Sequence, residues 1–393
     1  MISRLLPTPK NSALLFGPRM TGKTTWLKST FSGWHIIDLL REDNFQIFLS
    51  DPSRLRKEVF AAREKPGFLG VIIDEIQRVP SLLNEVQSLI ESDGITFILS
   101  GSSARKLKRG GANLLAGRAY EMRIFPVTYI ESNNYKKDFF ELDSVLQFGA
   151  LPKILLSSPA EKKRILKSYV GTYLREEIHA EALVRNLPSF SRFLALAAES
   201  CGQEVNFSEI SRETTVKSKT IKEYYSILEE TWIGTFLHPW KKTVRKQLAG
   251  SPKFYFFDNG VTNALRETLG GVLSPEIRGL LFEQWVIGEV RAIISYAELE
   301  GSLYYWKIRG GSEVDLLVAR GSAPLTAVEI KHTSNPGPRC FSGLNSLAEE
   351  YPGIGRYLVC NVERAFDNDG IHVMNYRQFF EELYQGRIQG LCR

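Results

Sequence analysis

The sequence has few of the residues that build disulfide frameworks, metal clusters or membrane spans. It contains 4 cysteines and 5 histidines in 393 residues, and no two cysteines form a C-x-x-C pair. Neither a disulfide scaffold nor a zinc cluster is therefore expected, and such cysteine usage favours a reducing cytoplasm. No apolar run approaches the roughly 18 residues needed to cross a bilayer, and the first ten residues lack the apolar core of a secretory signal. We expect a soluble, cytoplasmic protein.

The composition indicates a globular chain with more than one unit. Hydrophobic residues make up 43% of the chain and charged residues 24%, values that argue against disorder and against a coiled coil. A chain of 393 residues is too long for one ordinary core, so we expect about two to four packed units. The net charge of +6 permits a polyanionic partner without requiring one.

Strands and helices alternate through the first third of the chain. The strands are short and apolar on both faces, which is typical of a parallel sheet covered by helices on both sides. The pattern therefore predicts an α/β domain. The predicted strands are 13–16, 34–38, 71–73 and 97–99, and the predicted helices are 23–30, 54–63 and 82–91.

A glycine-rich turn links the first predicted strand to the first helix. Residues 17–24 read G-P-R-M-T-G-K-T and satisfy the P-loop pattern G-x-x-x-x-G-K-[ST] in the strand-to-helix setting that this motif requires. The glycines let backbone N–H groups point at a phosphate, Lys23 adds a positive charge, and Thr24 places a hydroxyl on Mg²⁺. The predicted nucleotide-binding residues are Gly17, Pro18, Arg19, Met20, Thr21, Gly22, Lys23, Thr24, Thr25 and Asp74.

An acidic pair follows another buried strand. Asp74 and Glu75 come directly after three apolar β-branched residues, 71–73. In a P-loop protein the first carboxylate of such a pair binds the magnesium shell, and the second polarises the water that attacks the γ-phosphate. We therefore assign Asp74 to Mg²⁺ and Glu75 to catalysis.

The next strand ends in a polar stretch, residues 100–103, with the sequence S-G-S-S. A hydroxyl at the tip of a strand between the two phosphate-site strands could contact the attacking water or the γ-phosphate, so Ser100 or Ser102 is a sensor candidate. The alternative is that serine and glycine simply end the strand.

The middle of the chain is helical and basic. Two short helices around a polar turn within 207–230, followed by a strand within 232–240, have the outline of a winged helix-turn-helix. Two basic groups could contact DNA phosphates, and a protein interface is the open alternative. These groups are Lys217, Lys219 and Lys222, and Lys241, Lys242, Arg245 and Lys246; a smaller one, Arg105, Lys106, Lys108 and Arg109, is either solvated surface or a further contact.

Four polar residues of the last block form a candidate metal site. Asp315 lies inside an apolar strand, Glu329 and Lys331 share one face at the end of the next strand, and Glu283 lies on a preceding helix. The set resembles the core of PD-(D/E)XK nucleases, in which the acids hold Mg²⁺ or Mn²⁺ and the lysine helps activate water. The alternative is an ion pair with Lys331 inside an inactive scaffold.

Taken together, the motifs resemble the AAA+ type P-loop ATPases of bacteria and archaea that carry a C-terminal domain of unknown function. The resemblance covers nearly the whole chain and implies ATP binding and hydrolysis, without supplying a substrate. The matching stretches are 17–24, 74–77 with Pro80, 100–103, 115–118, 125–126, 149–152, 173–177, 253–260 and 280–283.

Arg118 is a candidate catalytic arginine. Charge that develops on the γ-phosphoryl oxygens needs a cation beyond Lys23, and an arginine contributed across a subunit interface would supply it. A structural or surface arginine is the alternative. If the first interpretation holds, activity requires a homo-oligomer such as a hexameric ring.

These predictions give an α/β P-loop domain at 1–135, a helical linker at 136–200, a winged-helix domain at 201–268 and a nuclease-like α/β domain at 269–393. The leading hypothesis is a Mg²⁺-dependent ATPase that binds and remodels DNA as an oligomer. The alternatives are an ATP-gated, metal-dependent nuclease and a nucleotide-switched regulatory protein that does not act on DNA.

Overall fold

Two sheets organise the described part of the chain. The computed structural model describes residues 1–103, 105, 107, 115–174, 186–240, 251–308 and 311–391. Within these ranges no helix combines the length and the apolar character that a membrane span needs.

The N-terminal sheet has five parallel strands in the order β2-β3-β4-β1-β5. The central strands are fully buried, as continuous apolar runs in a parallel sheet should be. The predicted α/β domain is thus confirmed. The strands are β1 (Ala13–Phe16), β2 (His35–Asp38), β3 (Val71–Asp74), β4 (Phe97–Gly101) and β5 (Tyr120–Arg123).

Helices cover both faces of this sheet. The sequence prediction missed the helix Glu42–Ser50, and it also missed β5, whose residues Y-E-M-R lack an apolar run because the strand lies at a sheet edge. The helices are α1 (Lys23–Thr30), α2 (Glu42–Ser50), α3 (Arg54–Arg63), α4 (Leu82–Asp93) and α5 (Tyr129–Tyr135), with a 3₁₀ turn at Ile76–Arg78.

The middle of the chain is helical and ends in two antiparallel strands, β6 (Gly234–Pro239) and β7 (Lys253–Phe256). In the described part of this region six helices precede the strands, and aromatic side chains such as Phe193, Tyr225 and Phe254 pack between the last of these helices and β7. The helices are α6 (Leu142–Phe148), α7 (Pro152–Leu155), α8 (Pro159–Ser168), α9 (Leu187–Glu199), α10 (Phe207–Thr214) and α11 (Ser218–Glu230), with a π-helical turn at Tyr169–Leu174.

The C-terminal sheet has eight strands in the order β12-β13-β11-β10-β9-β8-β6-β7. Because β6 pairs with β8, the sheet continues across the predicted boundary at residue 268 and joins the middle of the chain to its end. The remaining elements are α12 (Asn259–Leu265), α13 (Pro275–Tyr296), β8 (Ser302–Lys307), β9 (Glu313–Arg320), β10 (Ala323–Ile330), a 3₁₀ turn (Pro338–Phe341), α14 (Ser342–Glu350), β11 (Gly355–Cys360), β12 (Phe366–Asn368), β13 (Ile371–Asn375) and α15 (Tyr376–Tyr384).

A buried arginine near the N-terminus ties the two sheets to the glycine-rich loop. The Arg4 guanidinium donates to the carbonyl oxygens of Thr21 and Phe125, both at 2.6 Å, and to the Tyr296 hydroxyl of α13 at 3.1 Å. Its Nε lies 3.1 Å from a carboxylate oxygen of Glu131 on α5. The loop, the strand-to-helix turn after β5 and the C-terminal helix therefore share one polar anchor.

Candidate nucleotide site

The loop between β1 and α1 curls tightly over the end of the sheet. A Cβ atom at Gly17 would lie 2.5 Å from the carbonyl oxygen of Ile124, so the position requires glycine. Gly22 adopts a left-handed φ of 93° directly before α1, and Met20 adopts 64°. The Thr21 hydroxyl donates to the carbonyl of Pro18 at 2.7 Å and closes the loop on itself.

Lys23 is buried beneath this loop, with 5% of its surface exposed. Its ammonium donates to the carbonyl oxygens of Gly17 at 2.7 Å and Pro18 at 2.9 Å. Burial lowers the pKa of Lys23 to about 8, although the nearby carboxylates of Glu75 and Asp74 oppose the shift. The cation is thus held at the loop by neutral carbonyls, which a phosphate oxygen could replace with a stronger partner.

Asp74 lies at the end of β3 between two hydroxyls. Thr24 Oγ1 donates to one carboxylate oxygen of Asp74 at 2.7 Å, and Ser100 Oγ of β4 donates to the other. Hydroxyl and carboxylate oxygens are the ligands that Mg²⁺ prefers, so Thr24 and Asp74 fit the ion that a P-loop nucleotide carries.

Glu75 is held by its own backbone and by a glutamine. It adopts a left-handed φ of 61°, and its backbone N–H lies 3.3 Å from Ser100 Oγ. The Gln77 amide donates to the Glu75 carboxylate and, at 3.0 Å, to Ser102 Oγ. The geometry therefore brings Ser100 to Asp74 and Ser102 to Gln77. Sequence reasoning gave Gln77 no role, because a glutamine after an acidic pair has no signal of its own.

A cleft of about 740 Å³ adjoins the outer side of this loop. Its wall includes Met20, Gly22 and Thr25 of the loop and α1, the first four residues of the chain, and Pro152 of α7. The volume suits a base and ribose, and the cleft begins where the phosphate loop ends. Thr25 is exposed and thus lies at this cleft rather than under the loop.

The C-terminal carboxylates gather around two lysines. Lys331 Nζ lies 2.9 Å from Asp315 and 2.7 Å from Glu329, and the backbone N–H of Ile330 donates to Asp315 at 2.8 Å. The hairpin of β9 and β10 therefore brings Asp315 beside Glu329 and Lys331, the two residues that alternation placed on one face.

Two residues of β7 complete this cluster from the middle of the chain. The Tyr255 hydroxyl donates to Glu283 at 2.6 Å, and Lys253 Nζ lies 2.6 Å from Glu313 and 3.5 Å from Glu283. The sequence analysis missed both, although a lysine at the start of an aromatic strand is a signal that a buried anion lies nearby.

Burial and mutual repulsion raise the pKa values of two acids in this cluster. Burial, followed by the charge of Asp315, raises the pKa of Glu329 to about 8 and also raises the pKa of Glu283. Burial opposes the charged form of Lys331, but Asp315 and Glu329 outweigh it and raise the Lys331 pKa. Within the described ranges, no three histidine, cysteine, aspartate or glutamate side chains come together as metal ligands. The predicted set of Glu283, Asp315 and Glu329 is instead charge-paired with lysines.

Three parts of the chain match known protein families. Residues 9–133 match the family described as an AAA domain. Its five-stranded parallel sheet and its glycine-rich loop between β1 and α1 agree with a P-loop ATPase domain, and we refer to this part of the chain as the AAA domain. Residues 140–270 and 278–379 match two families described as domains of unknown function, DUF8612 and DUF4143.

Relatives of this chain are described as uncharacterized. One from Mycobacterium tuberculosis is 26% identical over 379 residues, covering 91% of this chain and 80% of the relative. One from Haemophilus influenzae is 25% identical and covers 58% of this chain and 59% of the relative. Among solved structures, the DNA clamp loader delta protein of Bacillus subtilis is 14% identical with a TM-score of 0.23, covering 56% of this chain and 83% of that one.

Arg118 and the P-loop lie at opposite ends of the strands of the AAA domain. It precedes β5, which runs parallel to β1 and pairs Ala13 with Tyr120, whereas the P-loop follows the other end of β1. Its guanidinium pairs with Glu91 of α4 and donates to the carbonyl of Ala116 at 3.0 Å. Arg118 therefore does not contact the P-loop of its own chain.

The predicted basic groups are described only in part. Lys217, Lys219 and Lys222 are exposed around the start of α11, with the Lys222 ammonium 5.3 Å from the centre of the Phe207 ring. Arg105 pairs with Glu230 at 2.6 Å and thus joins the AAA domain to α11. The predicted group at Lys241, Lys242, Arg245 and Lys246 lies outside the described residues, as do Lys106, Lys108 and Arg109.

Proposed function

We propose that the AAA domain hydrolyses ATP in a Mg²⁺-dependent reaction. The observation that carries this proposal is the contact of Thr24 and Ser100 with Asp74 at the ends of two buried strands, with Thr24 directly following Lys23 in the chain. A hydroxyl, a carboxylate and an ammonium at these positions match what a magnesium triphosphate requires.

Each residue has a role in this proposal. Lys23 binds the β- and γ-phosphate oxygens in place of the loop carbonyls, and Glu75 orients and deprotonates the attacking water. Thr24 and Asp74 would hold Mg²⁺, which neutralises phosphate charge when bound. Gln77 donates to one carboxylate oxygen of Glu75 and would orient this base while its other oxygen accepts the proton from water.

Phosphate release by the purified chain tests the proposal. Lys23→Ala should abolish nucleotide binding and turnover, whereas Glu75→Gln should retain binding and lose turnover by about 10²-fold or more. Lys28→Ala, an exposed lysine on the same helix, and Glu64→Gln are the matched controls. Full turnover in both Lys23→Ala and Glu75→Gln would refute the P-loop assignment.

We further propose that the middle of the chain binds DNA and that hydrolysis, in an oligomer, changes this contact. The order of α9, α10, α11, β6 and β7 agrees with a winged helix, and three exposed lysines flank α11. Neutralising phosphates makes such binding fall steeply with salt.

Binding to duplex and branched DNA, measured over a salt series, tests this contact. Lys219→Ala combined with Lys222→Ala should weaken binding and flatten its salt dependence, whereas the exposed Lys57→Ala in the AAA domain should not. ATPase stimulation by a protein, with none by DNA, would instead favour the regulatory alternative.

The unpartnered oxygen Glu329 Oε2 favours a second candidate, a metal-dependent nuclease. It is buried beside Asp315 and Lys331, the residues whose set with Glu283 and Glu329 resembles the core of PD-(D/E)XK nucleases. Cleavage of DNA with Mn²⁺ that disappears in Asp315→Ala would support it. Intact DNA at every metal concentration would leave this part of the chain as a scaffold.

A further inference from the structure

A small cavity lies where the three family-matched stretches meet. Its wall is formed by the end of β5 and the turn to α5, by β6 and β7, and by one face of α13. Its volume is about 60 Å³. An engineered cavity of about 150 Å³ is enough for benzene, so this space suits a small inorganic species and excludes a nucleotide base.

Two arginines line this cavity without a partner. Arg123 ends β5, and Arg291 extends from α13. Across the residues that the structure describes, neither guanidinium makes a hydrogen bond or an ion pair, and Arg123 Nε is buried. The Arg123 guanidinium instead lies over two aromatic rings, with its carbon 4.8 Å from the centre of Phe125 and 4.3 Å from the centre of Trp232.

The two carboxylates that line the cavity form hydrogen bonds with groups other than the two arginines. Asp258 accepts from the backbone N–H of Ala150 at 2.7 Å, and Glu289 accepts from the backbone N–H of Tyr129 and from the Trp285 indole, both at 3.0 Å. Burial raises the pKa of Glu289 to about 8, so this group is mostly neutral at pH 7.

The electrostatic balance of this region is positive. The charge of Glu229 on α11 opposes the lowering of the pKa of both arginines. Its carboxylate accepts a hydrogen bond from the Phe236 backbone N–H and, within the described residues, forms no ion pair with either arginine. Burial, then the charge of Arg291, lowers the pKa of Arg123 to about 9, and burial lowers the pKa of Arg291 to about 10. Both arginines are partly buried, and two like charges without a counter-ion are unfavourable where water screens them poorly.

We propose that this cavity binds a small tetrahedral oxyanion of the phosphate class between Arg123 and Arg291. A phosphate would give each planar guanidinium the bidentate partner that it lacks and would neutralise the repulsion between them. The size of the cavity favours a free inorganic anion over the phosphoryl group of a nucleotide or a nucleic acid.

The position of the cavity gives the anion a structural consequence. Arg123 pairs in register with Phe16, the residue directly before the P-loop, and both contact Trp232 at the corner between α11 and β6. An anion bound to Arg123 and Arg291 thus clamps β5 of the AAA domain to α13. Phosphate released at the P-loop would have a second site close to where it forms.

Phosphate-dependent thermal stability of the full chain tests this proposal. The experiment uses Lys23→Ala, so that anion binding at the P-loop cannot produce the signal. Titrating phosphate against chloride at constant ionic strength should raise the melting temperature in a saturable way, and equilibrium dialysis should count one phosphate per chain. Sulfate should act similarly because it has the same geometry.

Arg291→Met in this background should abolish both the phosphate-dependent shift and the bound phosphate. In phosphate-free buffer the same change should raise the melting temperature, because it removes a partly buried charge that has no counter-ion in the described part of the chain and that repels Arg123. Arg63→Met, at an exposed position of α3, is the matched control and should leave both readouts unchanged.

Arg291→Lys serves if the methionine variant does not fold, since it keeps the charge and loses the bidentate geometry. It should weaken phosphate binding at least tenfold. Phosphate binding that is equal in the parent and in the Arg291 variants would overturn the proposal, as would no binding to the Lys23→Ala parent up to 50 mM phosphate, roughly the limit for a specific site.

Discussion

Lys23 combines a buried ammonium with partners that carry no charge. Its pKa lies at about 8 because burial disfavours the charged form more than the nearby acids favour it. A bound triphosphate would reverse this balance by placing negative charge beside the ammonium. Binding should therefore draw a proton onto Lys23 whenever the free protein has lost one.

Nucleotide affinity should accordingly fall as the pH rises through 8. Above this pKa the free protein holds Lys23 neutral, and each further pH unit should weaken binding by about tenfold until the pKa of the bound state is reached. Calorimetry at pH 8.5 in buffers of different ionisation enthalpy should detect proton uptake. Affinity that stays constant between pH 7 and 9.5 would show that Lys23 is protonated throughout.

Sequence reasoning located residues whose neighbours are local or follow from strand order. Thr24, Asp74 and Ser100 were found because parallel strands bring their carboxyl ends to one edge of the sheet. Lys253 and Arg291 were not assigned roles, because each meets its charged neighbours across elements whose packing leaves no trace in local spacing.

At the scale of elements, one carboxylate joins α13 to the start of α5. Both oxygens of Glu289 lie 3.0 Å from the Tyr129 backbone N–H, yet burial, reinforced by Glu131, keeps the Glu289 pKa at about 8. The folded chain thus binds this proton more tightly than the unfolded chain does. Its contribution to stability is complete below the ordinary glutamate pKa and is lost as the pH rises to about 8.

Glu289→Gln should therefore flatten the pH dependence of unfolding. Between pH 6.5 and 8 the free energy of unfolding of the parent should carry an extra fall of about 1.4 kcal/mol per pH unit, which the variant lacks. Urea denaturation at several pH values in this window measures the difference. The window lies above the pKa of about 6 that burial gives Asp258, so titration of Asp258 does not obscure the result. Equal slopes in the two proteins would mean that Glu289 is ionised in the fold.

The sequence predicted the bounds of some elements well and missed others. Strand β1 and helices α1 and α3 have the predicted bounds, whereas the edge strand β5 and the helix α2 were missed. The pairing of β6 with β8 could not be foreseen, because strand order in a mixed sheet depends on contacts distant in sequence.

At the scale of the whole molecule, the position of Arg118 separates two models of catalysis. The length of strands β1 and β5 separates Arg118 from the P-loop of the same chain, so a catalytic role requires a second copy whose P-loop faces Arg118. Its pairing with Glu91 is the structural alternative, and loss of that pair from a surface would change stability by at most about 1 kcal/mol.

Mixing two inactive variants distinguishes a catalytic role of Arg118 across an interface from a structural pair with Glu91. If Arg118 acts across an interface, Arg118→Ala should lower turnover by about 10³-fold, and an equal mixture with Lys23→Ala should recover about a quarter of parent activity, since half of the sites keep Lys23 and half of their neighbours keep Arg118. Arg56→Ala, which breaks a comparable pair with Glu85 of α4, is the control and should remain active. An Arg118→Ala variant with parent turnover would assign the residue to the structural pair, and an inactive one that mixing cannot rescue would place its action within one chain.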